Sequence, residues 1–186
     1  MILPIVVYGD PVLKQHTEDI DPEYPGLADV IKNMWQTMYL AQGVGLAAPQ
    51  VGLSIRLFIV DTNQLRDKNK RDIAGTKQVF INATMVEETG SEWKYEEGCL
   101  SIPGIREDVF RKPKIRIHFF DENFEEHEKE FDDINARVIQ HEYDHIEGIL
   151  FTDKLRPLTK KLVQPKLLKI QRGDFEADYR TKVFKK

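Results

Sequence analysis

Asp132-Asp133-Ile134-Asn135-Ala136-Arg137-Val138-Ile139-Gln140-His141-Glu142-Tyr143-Asp144-His145-Ile146-Glu147-Gly148 opens on carboxylates suited to cap a helix and closes on a glycine suited to end one. It predicts a helix from about Ile134 to Glu147. Residues four apart on a helix stand on one face, so His141 and His145 can offer two imidazoles to one metal ion. Glu142, beside the first of them, is then a candidate base.

Two imidazoles leave a site unfinished, because a catalytic tetrahedral centre commonly takes three protein ligands and leaves the fourth position to water. The extended metalloprotease form of the motif would place Gly at 148 and His at 151; this chain has Gly148 but Phe151. Other HExxH peptidases take a Glu from downstream, for which Glu176, in a charged tail, is the tolerable candidate. The alternative is the single cysteine, Cys99, in Glu97-Gly98-Cys99-Leu100-Ser101. Taken alone, Cys99 reads as a buried small hydrophobe; beside an HExxH pair short of its third ligand it reads better as a thiolate completing Cys/His/His. Gly98 and the turn-forming Pro103-Gly104 suit a backbone brought close to another element.

Upstream, Leu27, Val30, Ile31, Met34, Trp35, Met38 and Tyr39 recur at three- and four-residue intervals, predicting an amphipathic helix within Pro25 to Gln42 that Gly43 ends. Next comes Gly43-Val44-Gly45-Leu46-Ala47-Ala48-Pro49-Gln50. Its Gly43, Gly45 and Ala48, with Asp61 beyond, superficially match a dinucleotide fingerprint, but a helix precedes it where a strand is needed and Pro49 leaves no room for a crossover. We read it as a small-residue wall that lets a substrate approach the backbone, with Gln50 offering an amide donor. β-type runs follow at 55–60, 78–81 and 114–120, with another around Glu128 to Phe131. Asn63 to Lys77 reads as a mobile polar surface excursion. A last helix is expected from about Leu158 to Gln171. Strands grouped between helices predict an α+β fold, one compact domain over residues 1–186.

Composition supports a globular chain: 41 % hydrophobic and 31 % charged residues exclude collagen-like and disordered classes. The apolar opening lacks a basic leader and is broken by Pro4, and there is no apolar run of the roughly 18–20 residues a membrane span needs, so the expected location is the cytoplasm. Net charge is −4, unevenly spread: residues 156–186 hold ten Lys/Arg against three Asp/Glu, leaving the rest at −11. A basic tail of this kind is either a solvated helix face or a contact for an anionic partner such as RNA.

Taken in order, the segments 43–50, 97–101 and 140–145 resemble the three signature motifs of bacterial-type peptide deformylases. The likeness extends to Leu3-Pro4-Ile5-Val6-Val7-Tyr8-Gly9-Asp10-Pro11-Val12-Leu13 and to Gly148-Ile149-Leu150-Phe151, nearly the whole chain. It implies mostly antiparallel sheets packed around a central helix that carries HExxH, with a further helix at the C-terminus. It implies removal of the formyl group from formyl-Met nascent polypeptides by one divalent ion, Fe(II) natively with Zn(II) or Ni(II) as replacements, held by Cys99, His141 and His145. Glu142 would be the acid/base, and Gln50 with the Leu100 N–H an oxyanion site. Val44, Gly45, Glu97, Ile134, Arg137 and Val138 would meet the substrate. Helical spacing puts Ile134, Arg137 and Val138 on the face of His141, as a pocket for the Met side chain or as ordinary core. Asp144 would be a supporting carboxylate. A transient ribosome contact through the basic tail would suit such an enzyme; membrane and specific DNA binding are not expected.

Two other readings stay open on sequence alone. A general HExxH metallopeptidase would use a distal carboxylate and keep its metal without Cys99. An RNA- or ribosome-binding module would use the basic tail, its metal merely structural, and hydrolyse nothing.

Overall fold

The computed structural model describes residues 1–65 and 74–185. Its elements run β1 (Ile5–Val6), α1 (Leu27–Leu40), β2 (Gly45–Ala47), β3 (Leu57–Asp61), β4 (Lys77–Thr89), β5 (Trp93–Cys99), β6 (Ile102–Arg111), β7 (Lys114–Phe120), β8 (Glu126–Asp132), α2 (Asp133–Ile146), α3 (Pro157–Gln171) and β9 (Thr181–Lys182). Five strands, in the order β2-β3-β4-β7-β8, form an antiparallel sheet; β5 and β6 form a separate hairpin, and β1 and β9 a parallel pair. This is the α+β arrangement expected, with antiparallel pairing dominant.

Strand β3 shows why the layers stack as they do. Alternate side chains of a strand point to opposite faces, and all five residues of β3 are buried. Leu57 and Ile59 pack with Met34 and Met38 of α1, while Phe58 and Val60 pack with Phe80, Phe119 and, from α2, Ala136 and Ile139. The Phe58 and Phe80 rings stack with centroids 4.6 Å apart, inside the favourable range for aromatic pairs. A third cluster seats Val163, Leu167 and Ile170 of α3 against Ile105 and Val109 of the β5–β6 hairpin.

Helix α2 is the centre of the molecule. Twelve of its fourteen residues are buried, among them Arg137, Gln140, His141, Glu142, Asp144 and His145. A surface helix leaves such groups in water; here they need internal partners. Gln140 Nε2 donates to the Lys112 carbonyl at 3.0 Å, and Asn135 Nδ2 to the Ala74 carbonyl at 2.9 Å. At the far end, the Thr17 N–H and hydroxyl both donate to the Ile146 carbonyl, at 3.0 and 2.9 Å. Gly148 ends the helix at φ +71, and a Cβ there would also lie 2.8 Å from the Lys14 carbonyl oxygen.

Several boundaries differ from the sequence reading. Helix α1 stops at Leu40, and the left-handed residue that follows is Gln42, φ 55, not Gly43. Strand β4 runs to thirteen residues; register shifts near Asn82 and Val86 interrupt its pairing, and beyond the buried Ala83 it continues as a largely exposed ribbon. Asn82, at φ 50, is held by bonds to both the N–H and the carbonyl of Ile20. Asp132 sits at the N-cap of α2 without a side-chain capping bond. The β5–β6 hairpin was not anticipated as strand, and its turn is Leu100-Ser101. Pro103-Gly104 fall inside β6, in a bulge between the pairs Gly98–Arg106 and Cys99–Ile102. Of the excursion expected at 63–77, residues 66–73 lie outside the described residues. Among the described residues no helix is long and apolar enough to cross a membrane.

Candidate active site

His141 and His145 leave α2 on the same face, with ring centroids 5.1 Å apart. The end of β5 brings Cys99 to them: Sγ lies 3.3 Å from His145 Nε2, and one ligand atom from each of the three falls within 4.8 Å of the others. Phe151, at the position where an extended metalloprotease motif would carry a histidine, instead stacks near His141, ring centroids 6.1 Å apart. Glu176 is exposed on the C-terminal segment and belongs to neither donor group found among the described residues. The other such group, Asp121, Glu125 and His127, lies at the β7–β8 turn, where His127 Nε2 and Asp121 Oδ2 are 2.9 Å apart.

The donor set fits a divalent ion. One sulfur and two imidazoles suit zinc or ferrous iron. His141 Nδ1 lies 2.9 Å from Glu97 Oε2, which places the ring proton on Nδ1 and leaves Nε2 to ligate. Burial disfavours charge on both rings. Hydrogen bonds to Cys99 and Glu97 nevertheless raise the His141 pKa well above its ordinary value, whereas burial and the His141 charge press that of His145 well below. A proton crowded among these donors is what a bound cation displaces.

Glu97, expected against substrate, has both oxygens engaged inside the protein. Oε1 accepts from Arg111 Nε at 2.7 Å and Arg137 Nη1 at 2.9 Å; Oε2 accepts from Arg111 Nη2 at 3.0 Å as well as meeting His141. The arginine fork matches a carboxylate bidentately, and the carboxylate so engaged belongs to a residue that lines the cleft. Although burial opposes the charge, bonds from His141 and Arg111 hold the Glu97 carboxyl well below the usual carboxylate range. Arg111 also gives the partner that the sequence left unnamed for Asp144, donating from Nη1 to Oδ2 at 2.7 Å, while Lys154 Nζ lies 3.3 Å from Oδ1. Arg111→Met would strand two buried carboxylates. We expect it to destabilise the chelator-treated protein by about 3–5 kcal/mol, the usual cost of breaking a buried pair. Denaturant unfolding measures this, and an unchanged midpoint would mean that Arg137 and Lys154 suffice.

Glu142 faces the same cleft. Its Oε2 is buried without a hydrogen-bond partner among the described residues. Burial pushes its carboxyl up to about 7; the His141 charge pulls against that shift and the Glu97 charge adds to it. Gly45 makes room for it: a Cβ at Gly45 would come within 2.7 Å of Glu142 Cγ and Cδ. Gly43 plays a similar part, since a Cβ there would lie 2.9 Å from Leu100 Cδ1. Both glycines therefore answer to side chains from elsewhere in the chain. Gln50 is 2 % exposed. Its Oε1 accepts from the Ala47 N–H at 2.8 Å, which turns Nε2 toward Cys99 Sγ at 3.4 Å and Ser101 Oγ at 3.3 Å. Ile134, Val138 and Arg137 line the cleft of about 490 Å³, as do Val44, Gly45 and Leu100.

Residues 2–161 match the family model described as polypeptide deformylase. The chain belongs to the polypeptide deformylase family. The peptide deformylase of Christiangramia forsetii is 54 % identical over 186 residues, covering 97 % of this chain and 95 % of that protein. The peptide deformylase of Flavobacterium johnsoniae is 54 % identical over 188 residues, covering 98 % and 96 %. Among solved structures, a Plasmodium falciparum peptide deformylase in complex with an inhibitor aligns at TM-score 0.78 and 37 % identity, over 90 % of this chain and 99 % of that one. A Legionella pneumophila peptide deformylase aligns at TM-score 0.78 and 34 % identity, over 92 % and 96 %. Deformylase membership implies a divalent metal, and Cys99, His141 and His145 form a donor group able to hold it. The peptidase reading that needed Glu176 has no support here, nor has a binding module with a merely structural metal.

Sequence reasoning missed Arg111, Ser101 as the partner of Gln50, and Tyr179, which lines the cleft from the C-terminal segment. Arg111 stands in Val109-Phe110-Arg111-Lys112-Pro113, which reads as an ordinary basic surface stretch. Only its 4 % exposure sets it apart.

Proposed function

We propose that this deformylase-family protein hydrolyses the N-terminal formyl group of formyl-methionyl nascent polypeptides, releasing formate and a free amine. The observation that carries the reading is the unpartnered Glu142 Oε2 in a cleft shared with the Cys99, His141 and His145 donors and the inward-turned Gln50 amide. When bound by these three side chains, a divalent ion supplies Lewis acidity that makes water a usable nucleophile near neutral pH. We take Fe(II) as the resident ion, with Zn(II) or Ni(II) as replacements. A thiolate with two neutral imidazoles leaves a divalent ion at formal +1, softer and less acidic than in a three-histidine site. Intrinsic affinity favours zinc over ferrous iron, so occupation by iron depends on supply in the cell.

Glu142 takes a proton from the attacking water, whose oxygen joins the formyl carbon. The tetrahedral oxyanion is met by Gln50 Nε2 and the Leu100 N–H, and each preorganised donor is worth roughly 3–4 kcal/mol in such sites. Glu142 then returns the proton to the departing nitrogen as the C–N bond breaks. Glu97, with Arg111 and Arg137 behind it, orients His141. Strand β2 is one edge of the five-stranded sheet, and the Val44 carbonyl just before it accepts from the Asp61 N–H at 2.8 Å. The Val44 N–H and the Gly45 backbone are therefore what an extended peptide would meet in the manner of an added strand. Ile134, Val138 and the stem of Arg137 take the Met side chain.

The cytoplasm is the compartment where such nascent chains occur. Helix α3 carries Lys160, Lys161, Lys166 and Lys169, and exposes Leu158 and Leu162 at 71 % and 69 %. We read it as a transient contact for the ribosome, whose RNA would make binding fall with salt. The test is anaerobic purification, which protects thiolate and ferrous iron from oxidation, followed on one sample by metal analysis, formate release from formyl-Met peptides, and ribosome cosedimentation at low and high salt. Cleavage of unblocked peptides instead of formyl-Met peptides would overturn the activity; binding indifferent to salt would overturn the ribosome contact.

A further inference from the structure

The turn between β5 and β6 consists of Leu100 and Ser101, between the paired residues Cys99 and Ile102. Both ends of the chain hold it. The Tyr8 N–H, just past β1, donates to the Ser101 carbonyl at 2.8 Å, and the Tyr179 hydroxyl, just before β9, donates to the Leu100 carbonyl at 2.7 Å. Parallel pairing of Ile5 with Thr181 and of Val6 with Lys182 joins β1 to β9, so both tyrosines reach the turn from one clasp. Tyr179 also lines the cleft and packs in the same cluster as Leu100. It lies beyond residues 2–161, the part of the chain that matches the family model.

The Leu100 carbonyl belongs to the central peptide of the turn. That peptide points oppositely in the two commonest kinds of β-turn, which differ by its rotation through about 180°. A rotation would change ψ at Leu100 and φ at Ser101. The two residues that share this peptide carry the Leu100 N–H and the Ser101 hydroxyl bonded to Gln50 Nε2 at 3.3 Å, so fixing the peptide restrains the backbone on which both are mounted. Donors to an oxyanion work only when held in place beforehand. Resting on the proposed deformylase reading, we infer that Tyr179 is a positioning residue: its hydroxyl locks the Leu100-Ser101 peptide, so the C-terminal segment after α3 is part of the active site.

Tyr179→Phe keeps the ring and removes the donor. The expected result is a kcat lower by about tenfold, the worth of one neutral hydrogen bond, with KM within about twofold. In the chelator-treated protein the backbone amide resonances of Leu100 and Ser101 should move, while the unfolding midpoint stays near wild type. A kcat within twofold of wild type, or amide resonances that do not move, would overturn the inference. So would a rate loss explained entirely by less folded protein. Absence of formate release by the wild-type protein would sink the functional reading instead, and the amide resonances would still decide whether Tyr179 holds the turn.

Discussion

Glu142→Gln is expected to slow formate release by about 10²- to 10⁴-fold, the span over which a positioned acid/base acts, while metal content stays at the wild-type level. The substitution is nearly isosteric, so the space left by Gly45 still accepts the side chain. An amide neither takes the water's proton nor returns one to the leaving nitrogen. Folding should hold or improve, because burial pushes the carboxylate up to about 7 and a neutral amide carries no charge to desolvate. Single-turnover rates with metal quantified on the same sample make the measurement. Wild-type turnover in this variant would remove Glu142 from the reaction.

Cys99→Ala is expected to empty the metal centre and reduce turnover to background. Loss of partners that merely orient a ligand weakens metal affinity by about 10- to 100-fold, and loss of one of three ligands should exceed that. The fold should survive, since Cys99 is only half-buried at the end of β5 and alanine is smaller. Metal per chain after dialysis decides the matter. Full retention would mean that another donor completes the site and that the thiolate assignment is wrong.

Local patterns were legible where one face of an element is apolar. The repeat from Leu27 to Tyr39 reads as a helix, and the alternation through Ile115, Ile117 and Phe119 as a strand, because burial follows the period of the backbone. The β5–β6 hairpin was illegible for the opposite reason. Its own buried positions include the charged Glu97 and Arg111 beside Ile105 and Val109, and the bulge at Pro103-Gly104 breaks its register. The glycines carry a constraint the sequence does not show: Gly43 reads as a helix stop and Gly45 as a place for substrate, and each also has Leu100 or Glu142 lying where a Cβ would be.

By itself, the sequence determined the helix that carries His141, Glu142 and His145, the lack of a histidine at 151, and so the candidacy of Cys99. These follow from spacing along one chain segment. The tertiary structure alone shows that Glu97 meets His141, that Arg111 ties Glu97 to Asp144, and that Tyr179 reaches the Leu100 turn from beyond α3. Buried charges must find partners wherever the fold brings them, and those partners lie tens of residues away, where no periodicity points.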